Sequence, residues 1–268
     1  AVEMCNNNGH CRKFDAGTMC PSFRVTRNER DLTRGRANTL RLALSGQLGP
    51  AGLGSDAVAE ALSLCVSCKG CRRDCPTGID MARMKIEVQH RRAAEGRLSR
   101  RERLVAALPR YAGLAARLPW LFNARDRVPG AARLMERLLG FSARRSLPRW
   151  RSDTFLRRRA AAAARAASVG TAAGAGASGA GNAAATGQAG EVVLWVDTFD
   201  NAFEPAILEA AERVLRAAGY AVHVAGPAPG DAEPKRPLCC GRTWLSAGLV
   251  DEARAEARRT LAALAPYL

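Results

Sequence analysis

Cys65, Cys68, Cys71 and Cys75, followed by Pro76, spell C-x2-C-x2-C-x3-C-P, and this run constrains the chain more than any other feature. Two-residue spacers let successive sulfurs curl around one corner of an iron-sulfur cubane, and Pro76 turns the chain away because it cannot continue a helix. In this spacing three thiolates grip one cluster while the fourth reaches toward another, so the site at Cys65, Cys68 and Cys71 needs a fourth donor from elsewhere. Cys20, also followed by proline, is the donor expected. The pattern predicts a 4Fe-4S cluster on Cys20, Cys65, Cys68 and Cys71, with electron transfer as its use.

Cys5, Cys11 and Cys75 are left for a second cluster, and their C-x5-C start is irregular. Three thiolates leave several readings open: a 3Fe-4S cluster, a 4Fe-4S cluster with His10 or water as fourth ligand, or no second cluster. His10, a lone histidine beside Asn and Gly, reads as an ordinary loop residue. Lys69, Arg72 and Arg73 stand next to the ligands, where they either hold an anionic cluster and raise its potential or are simply solvated. Cys239 and Cys240, followed by Gly241, form a weaker pattern: buried thiols, a strained disulfide, or a redox or ligand site. Gly241 permits close backbone approach there.

Seven of the nine cysteines fall within residues 5–75, and the first residues lack the basic and apolar regions of a secretory signal, so metal binding is favoured over disulfides. No apolar run reaches membrane-spanning length, and a cytoplasmic location is expected. The formal charge of +16 is largely local, since residues 85–159 hold 20 Lys and Arg against 6 Asp and Glu. Nearly all of these are Arg in an Ala-rich and Gly-rich chain, which biased codon usage explains as well as a binding surface does. A zinc-dependent nucleic-acid module is the competing reading. Three cysteines at successive two-residue spacings argue against it, as does an aromatic content of 5%, so no nucleic-acid partner is expected.

Residues 1–34 read as loop around the first three cysteines. A helix is expected from Arg36 to Leu48 with Leu40, Leu42, Ala43 and Leu44 as apolar positions. A second, capped by Ser55 or Asp56, runs into Cys65, and a third, capped by Asp80, reaches about Arg92. Residues 98–159 are broken by Pro109, Pro119, Pro129 and Pro148 into short amphipathic helices. Within them LPRYAGLAARLPWLF suits either a partner domain or peripheral contact with the inner membrane. Residues 160–190 read as a flexible Ala/Gly linker. Beyond it EVVLWV and YAVHVA are strands around a helix from Pro205 to Ala218, closed by Gly219, with Ile207, Leu208, Ala211, Val214 and Leu215 as apolar positions. This predicts a right-handed β-α-β unit with its switch point near Asp197 to Asp200. A last helix is expected over Leu249–Leu264, and two strands alone suggest a truncated sheet domain.

Two stretches, CNNNGHCRKFDAGTMCPSFRVTRNERDLTRGRANTLRLAL and ALSLCVSCKGCRRDCPTGIDMARMK, resemble the C-terminal half of bacterial FAD-linked D-2-hydroxyacid dehydrogenases of the D-lactate and D-2-hydroxyglutarate type. VDTFDNAFEPAILEAAERVLRAAGY and LCCGRTWLSAGLVDEAR are similar to the start of that family's cysteine-rich CCG region. The resemblance implies an α-helical ferredoxin-like domain over 1–95, a basic helical segment over 96–159, the linker, and a partial α/β CCG-type domain over 191–268. It further implies FAD in an N-terminal domain absent from this chain, and electrons passed to a quinone or other carrier. The catalytic residues are unknown here, because the family's flavin and substrate residues lie upstream. In this family Thr33 to Ala37 (TRGRA) is expected to pack over the cluster. CCG domains that hold a cluster use further cysteines on both sides, whereas Asp197 and Thr198 stand near the earlier position, which speaks against a cluster at Cys239 and Cys240. Related modules serve as separate iron-sulfur subunits of glycolate oxidase and glycerol-3-phosphate dehydrogenase. A start at Ala1 rather than Met is read as favouring the fused arrangement.

Overall fold

Short polar side chains start the helices that frame the cysteine motif. Ser55 accepts a hydrogen bond from the Val58 backbone N–H, and Asp80 accepts one from that of Arg83, each satisfying a donor that the first helical turn leaves open. In the computed structural model, which describes residues 1–172 and 189–268, these caps open α3 (Asp56–Ser63) and α5 (Met81–Ala94). They follow α1 (Pro21–Thr26) and α2 (Thr33–Leu44), and α4 (Gly70–Asp74) lies between them. The segment 1–34, expected as loop, also holds α1 and the short turns Val2–Met4, His10–Arg12 and Glu29–Asp31. Pro21 supports α1 because a proline at the first helical position loses no hydrogen bond.

The chain divides into two units, residues 1–103 with 244–250, and residues 104–243 with 251–268. The first is built on one apolar cluster in which Leu32, Leu40, Val58, Ile79, Met81 and Val88 pack together with Cys5, Cys11, Cys20 and Cys71. Each such aliphatic side chain contributes about 1.5–3 kcal/mol on burial. Helix α2 starts at Thr33, earlier than the expected Arg36, and turns Leu40 and Ala43 inward while Leu42 and Leu44 stay exposed. Its burial is set by where Gly35 lies. A β-carbon there would stand 2.1 Å from the Glu29 carbonyl oxygen, so the helix can press against the Glu29–Asp31 turn only without a side chain.

In the second part of the chain the prolines keep the helices short, as expected. They run α6 (Arg100–Ala106), α7 (Leu108–Ala115), α8 (Pro119–Phe122), α9 (Ala124–Arg127) and α10 (Ala131–Leu139). Tyr111, Phe122, Trp150 and Phe203 form an aromatic cluster with Trp150 and Phe203 centroids 4.6 Å apart. The opposite faces leave Leu114, Trp120, Leu121, Leu134 and Leu138 exposed.

Helix α11 (Phe155–Ala172) continues into the stretch expected as linker, because its alanines are the strongest helix formers. The expected linker residues 173–188 lie outside the described residues. Strand β1 (Glu191–Leu194) pairs in parallel with β2 (Ala221–Val224), in register from Glu191 with Ala221 to Leu194 with Val224. The connection between them is α12 (Thr198–Ala202) and α13 (Pro205–Ala217), and α14 (Arg242–Ser246) and α15 (Val250–Leu264) follow. Both strands are shorter and less buried than the continuous apolar runs suggested. On α13 Pro205 and Leu208 are buried, Leu208 against Phe155 and Val196, while Ile207 and Val214 face solvent. Two strands offer too little surface to cover every apolar position. Among the described residues no helix is long and apolar enough to cross a membrane.

The close approach at Gly35 sets a test. In most helices Gly→Ala stabilises by up to about 1 kcal/mol. Here Gly35→Ala is expected to destabilise by about 1–3 kcal/mol, the usual range for overpacking, read as a lower urea midpoint.

Candidate metal centre

Cys20, Cys65, Cys68 and Cys71, separated by up to 51 residues in sequence, line one cavity in the first unit, together with Thr33, Arg36 and Met81. The bond that gathers them is made by Asp74. Its Oδ2 accepts hydrogen bonds from the backbone N–H groups of Thr18 at 2.5 Å and Met19 at 3.0 Å, tying the residues before Cys20 to the end of α4. From the other side Arg24 of α1 donates to the carbonyls of Asp15, Gly17 and Met19 and holds the same loop in place.

The backbone bends sharply where it carries the thiols. Cys20 has φ of 31°, Ser67 of 55° and Lys69 of 60°, all in the left-handed region that non-glycine residues avoid at a cost of roughly 1–2 kcal/mol each. Three of the five such residues in the described chain are a ligand candidate or flank one. Strain concentrated in this way marks a place where surrounding structure enforces a geometry for a purpose.

Donors point at the sulfurs. The Thr33 N–H donates to Cys20 Sγ at 3.1 Å, with the Thr33 hydroxyl 3.0 Å from the same sulfur, and the Met81 N–H donates to Cys71 Sγ at 3.4 Å. Burial pushes the Cys71 thiol up, and the Met81 N–H offsets part of that shift. Cys20 and Cys71 are buried, Cys65 is half-buried and Cys68 is exposed. Among the described residues no three Cys, His, Asp or Glu side chains stand close enough together to hold a single ion. A cubane needs no such convergence, because each thiolate binds a different iron. An all-thiol donor set with amide donors aimed at the sulfurs is the chemistry an iron-sulfur cluster requires.

Cys5 and Cys11 are buried in the same apolar core, and Cys75 packs against it. Burial pushes the Cys11 thiol up, and the nearby Cys20 and Cys5 push it further. At Cys75 burial acts upward too, but the hydroxyl of Thr77 at 3.1 Å and the backbone N–H groups of Thr77, Ile79 and Gly78 outweigh it and bring the thiol down. His10 opens the His10–Arg12 turn, its backbone N–H donating to Asn8. In the second unit Cys239 is buried and Cys240 exposed, both as free thiols. The close approach expected at Gly241 is made to α15, where a β-carbon would stand 2.8 Å from the Ala253 carbonyl oxygen. Asp197, near the expected switch point, caps α12 by accepting from the N–H groups of Phe199 and Asp200.

Lys69, Arg72 and Arg73, the cations adjacent to the motif, are exposed. Lys69 also lines the cavity, at its exposed side; the more buried cations at the site are Arg36, on its wall, and Lys85, whose Nζ donates to the Cys65 carbonyl at 2.6 Å. Burial pushes the Lys85 ammonium down, opposed by Cys65. Their signal in the sequence was a charge set inside an apolar stripe: Arg36 four residues before Leu40, and Lys85 between Met81 and Val88.

Residues 1–79 match the 4Fe-4S dicluster domain family. The chain is also similar to D-2-hydroxyglutarate dehydrogenase of Escherichia coli, 30% identical over 174 residues that cover 51% of this chain and 17% of the relative. The enzymes of the same name from Pantoea ananatis and Pseudomonas putida are 31% and 28% identical, covering 44% and 45% of this chain. The chain thus resembles the iron-sulfur portion of such a dehydrogenase. It spans only 15–17% of the length of these relatives. No solved structure matches it.

The two cysteine sets separate experimentally. Cys20→Ser is expected to lower bound iron by about four per chain, whereas Cys75→Ser should leave that cluster in place, as read by iron and sulfide analysis after anaerobic purification.

Proposed function

We propose that this chain is the electron-transfer module of an FAD-dependent 2-hydroxyacid dehydrogenase, standing between a flavin and a quinone or other carrier. The observation that carries the reading is the meeting of Cys20 with Cys65, Cys68 and Cys71 around one cavity, from segments that the Asp74 clasp draws together. A bound 4Fe-4S cluster would supply a one-electron store there. Cys20, Cys65, Cys68 and Cys71 would hold it. Thr33 and Met81 donate N–H groups to two of the sulfurs and so stabilise thiolate charge. The apolar core formed by Leu32, Leu40, Val58 and Met81 restricts water around the site. Cys5, Cys11 and Cys75 are the ligands we assign to a second cluster, a reading supported by their burial in the same core and by the two-cluster description of the matched family.

The relatives, whose names specify D-2-hydroxyglutarate, support a 2-hydroxyacid as the substrate class. The flavin would belong to a domain or subunit outside this chain. Leu114, Trp120, Leu121, Leu134 and Leu138, apolar yet exposed, offer surface that such a partner would cover.

Anaerobically purified protein is expected to contain about four iron and four sulfide per chain from the Cys20 site, or about seven to eight iron if both sites fill, with an EPR signal after dithionite. In the complete enzyme D-2-hydroxyglutarate should produce the same reduced signal. Stoichiometric zinc without sulfide would overturn the proposal in favour of a structural metal site.

A further inference from the structure

Arg36 is 3% exposed, yet its hydrogen bonds go only to neutral groups. Its Nε donates to the Ala61 carbonyl at 3.0 Å and one terminal nitrogen to the Ser22 hydroxyl at 2.8 Å, and no carboxylate lies within ion-pair distance among the described residues. Arg24 and Arg41 also bond only neutral acceptors, but both are half-buried and Arg36 is buried; Arg12 and Arg34 pair with Glu29, Arg30 with Glu60, Arg91 with Glu95 and Arg92 with Asp56. Lys85 repeats the pattern, since its ammonium bonds the Cys65 carbonyl and is close enough to Arg36 for the two charges to repel. The carboxylate that acts on Lys85 is Glu102, which is already engaged by the N–H and hydroxyl of Ser99. Buried Asp31 accepts from Thr26 and meets Ser22 only through its backbone carbonyl.

A guanidinium cannot shed its proton to escape burial, so a fold that buries one without a carboxylate must supply negative charge in another form. The negative charge available is that of the thiolates the cavity's cysteines become when they hold a cluster. Arg36 shares the cavity wall with Cys20, Cys65, Cys68 and Cys71, and Lys85 holds the backbone of Cys65 itself. We propose that Arg36, assisted by Lys85, is the internal counter-charge of this site and raises the reduction potential of the cluster bound there. The inference rests on the iron-sulfur reading given above. A four-thiolate cubane is anionic in both oxidation states and more so when reduced, so a fixed cation in a low-dielectric wall favours the reduced form. Both are positioning residues, acting on the ligands through space and through the Cys65 backbone.

The test is an EPR-monitored redox titration of the anaerobically purified protein beside Arg36→Met, Arg36→Lys, Lys85→Met and the exposed control Arg72→Met, with iron and sulfide measured on each. At unchanged iron content, Arg36→Met and Lys85→Met are expected to lower the midpoint potential, Arg36→Lys to restore most of it, and Arg72→Met to move it least. Where Arg36→Met does not retain iron, Lys85→Met decides. Potentials that do not move in variants with full clusters would overturn the proposal and leave Arg36 as a hydrogen-bonding strut between Ser22 and Ala61. Wild-type protein without iron and sulfide would overturn instead the reading on which it rests.

Discussion

Everything at the candidate site depends on closing a loop between two cysteine segments about fifty residues apart, and loop closure of this length carries an entropic cost that local bonds must offset. Asp74 supplies the closure as a charged acceptor for two consecutive backbone N–H groups, and such charge-assisted bonds are among the stronger ones available. Arg24 then fixes the carbonyl side of the same loop, so both polarities of the backbone before Cys20 are satisfied by side chains. Only with that loop pinned does Cys20 meet Thr33 and reach the cavity shared with Cys65, Cys68 and Cys71. The left-handed turns at Cys20, Ser67 and Lys69 run against this closure, and the apolar core behind them is what sustains them.

That Cys65, Cys68 and Cys71 would share one cavity could be read from the sequence because thiol spacing is a direct statement of reach: two residues between cysteines place successive sulfurs around a common centre. Helix starts at Ser55 and Asp80 were legible for the same reason, since a cap acts within four residues of its own position. What periodicity could not say was which face of a helix would be covered. Leu42 and Leu44, counted among the helix's apolar positions, are exposed, while Leu40 and Ala43 are inside, because the rotation of α2 is set by the Gly35 contact with the Glu29 carbonyl rather than by its own hydrophobic pattern. On α13 Ile207 and Val214 were likewise counted among the apolar positions and face solvent, since a two-stranded sheet covers the side that carries Leu208. The extension of α11 into the expected linker shows composition misread in the other direction: alanine lowers the cost of helix as readily as it lowers the drive to pack.

For charge, proximity in sequence and burial in the structure diverge. Lys69, Arg72 and Arg73 sit beside ligands in the chain, but all three are exposed, Lys69 at the cavity's open side, and an ion in water is screened and influences a buried centre weakly. Arg36 comes from α2 and is buried on the cavity wall, and Lys85 comes from α5 and is half-buried against the Cys65 carbonyl, where effective dielectric is lower than in water. A nearby cation in water and a cation in the cavity wall differ in leverage by the dielectric alone. The same fold that tolerates a surplus of surface arginine therefore places its electrostatically effective cations at two positions that interrupt apolar stripes. Breaking a hydrophobic pattern with a charge is costly unless something of opposite sign waits at that point, and in this unit it would be the thiolates of the proposed cluster on the same cavity.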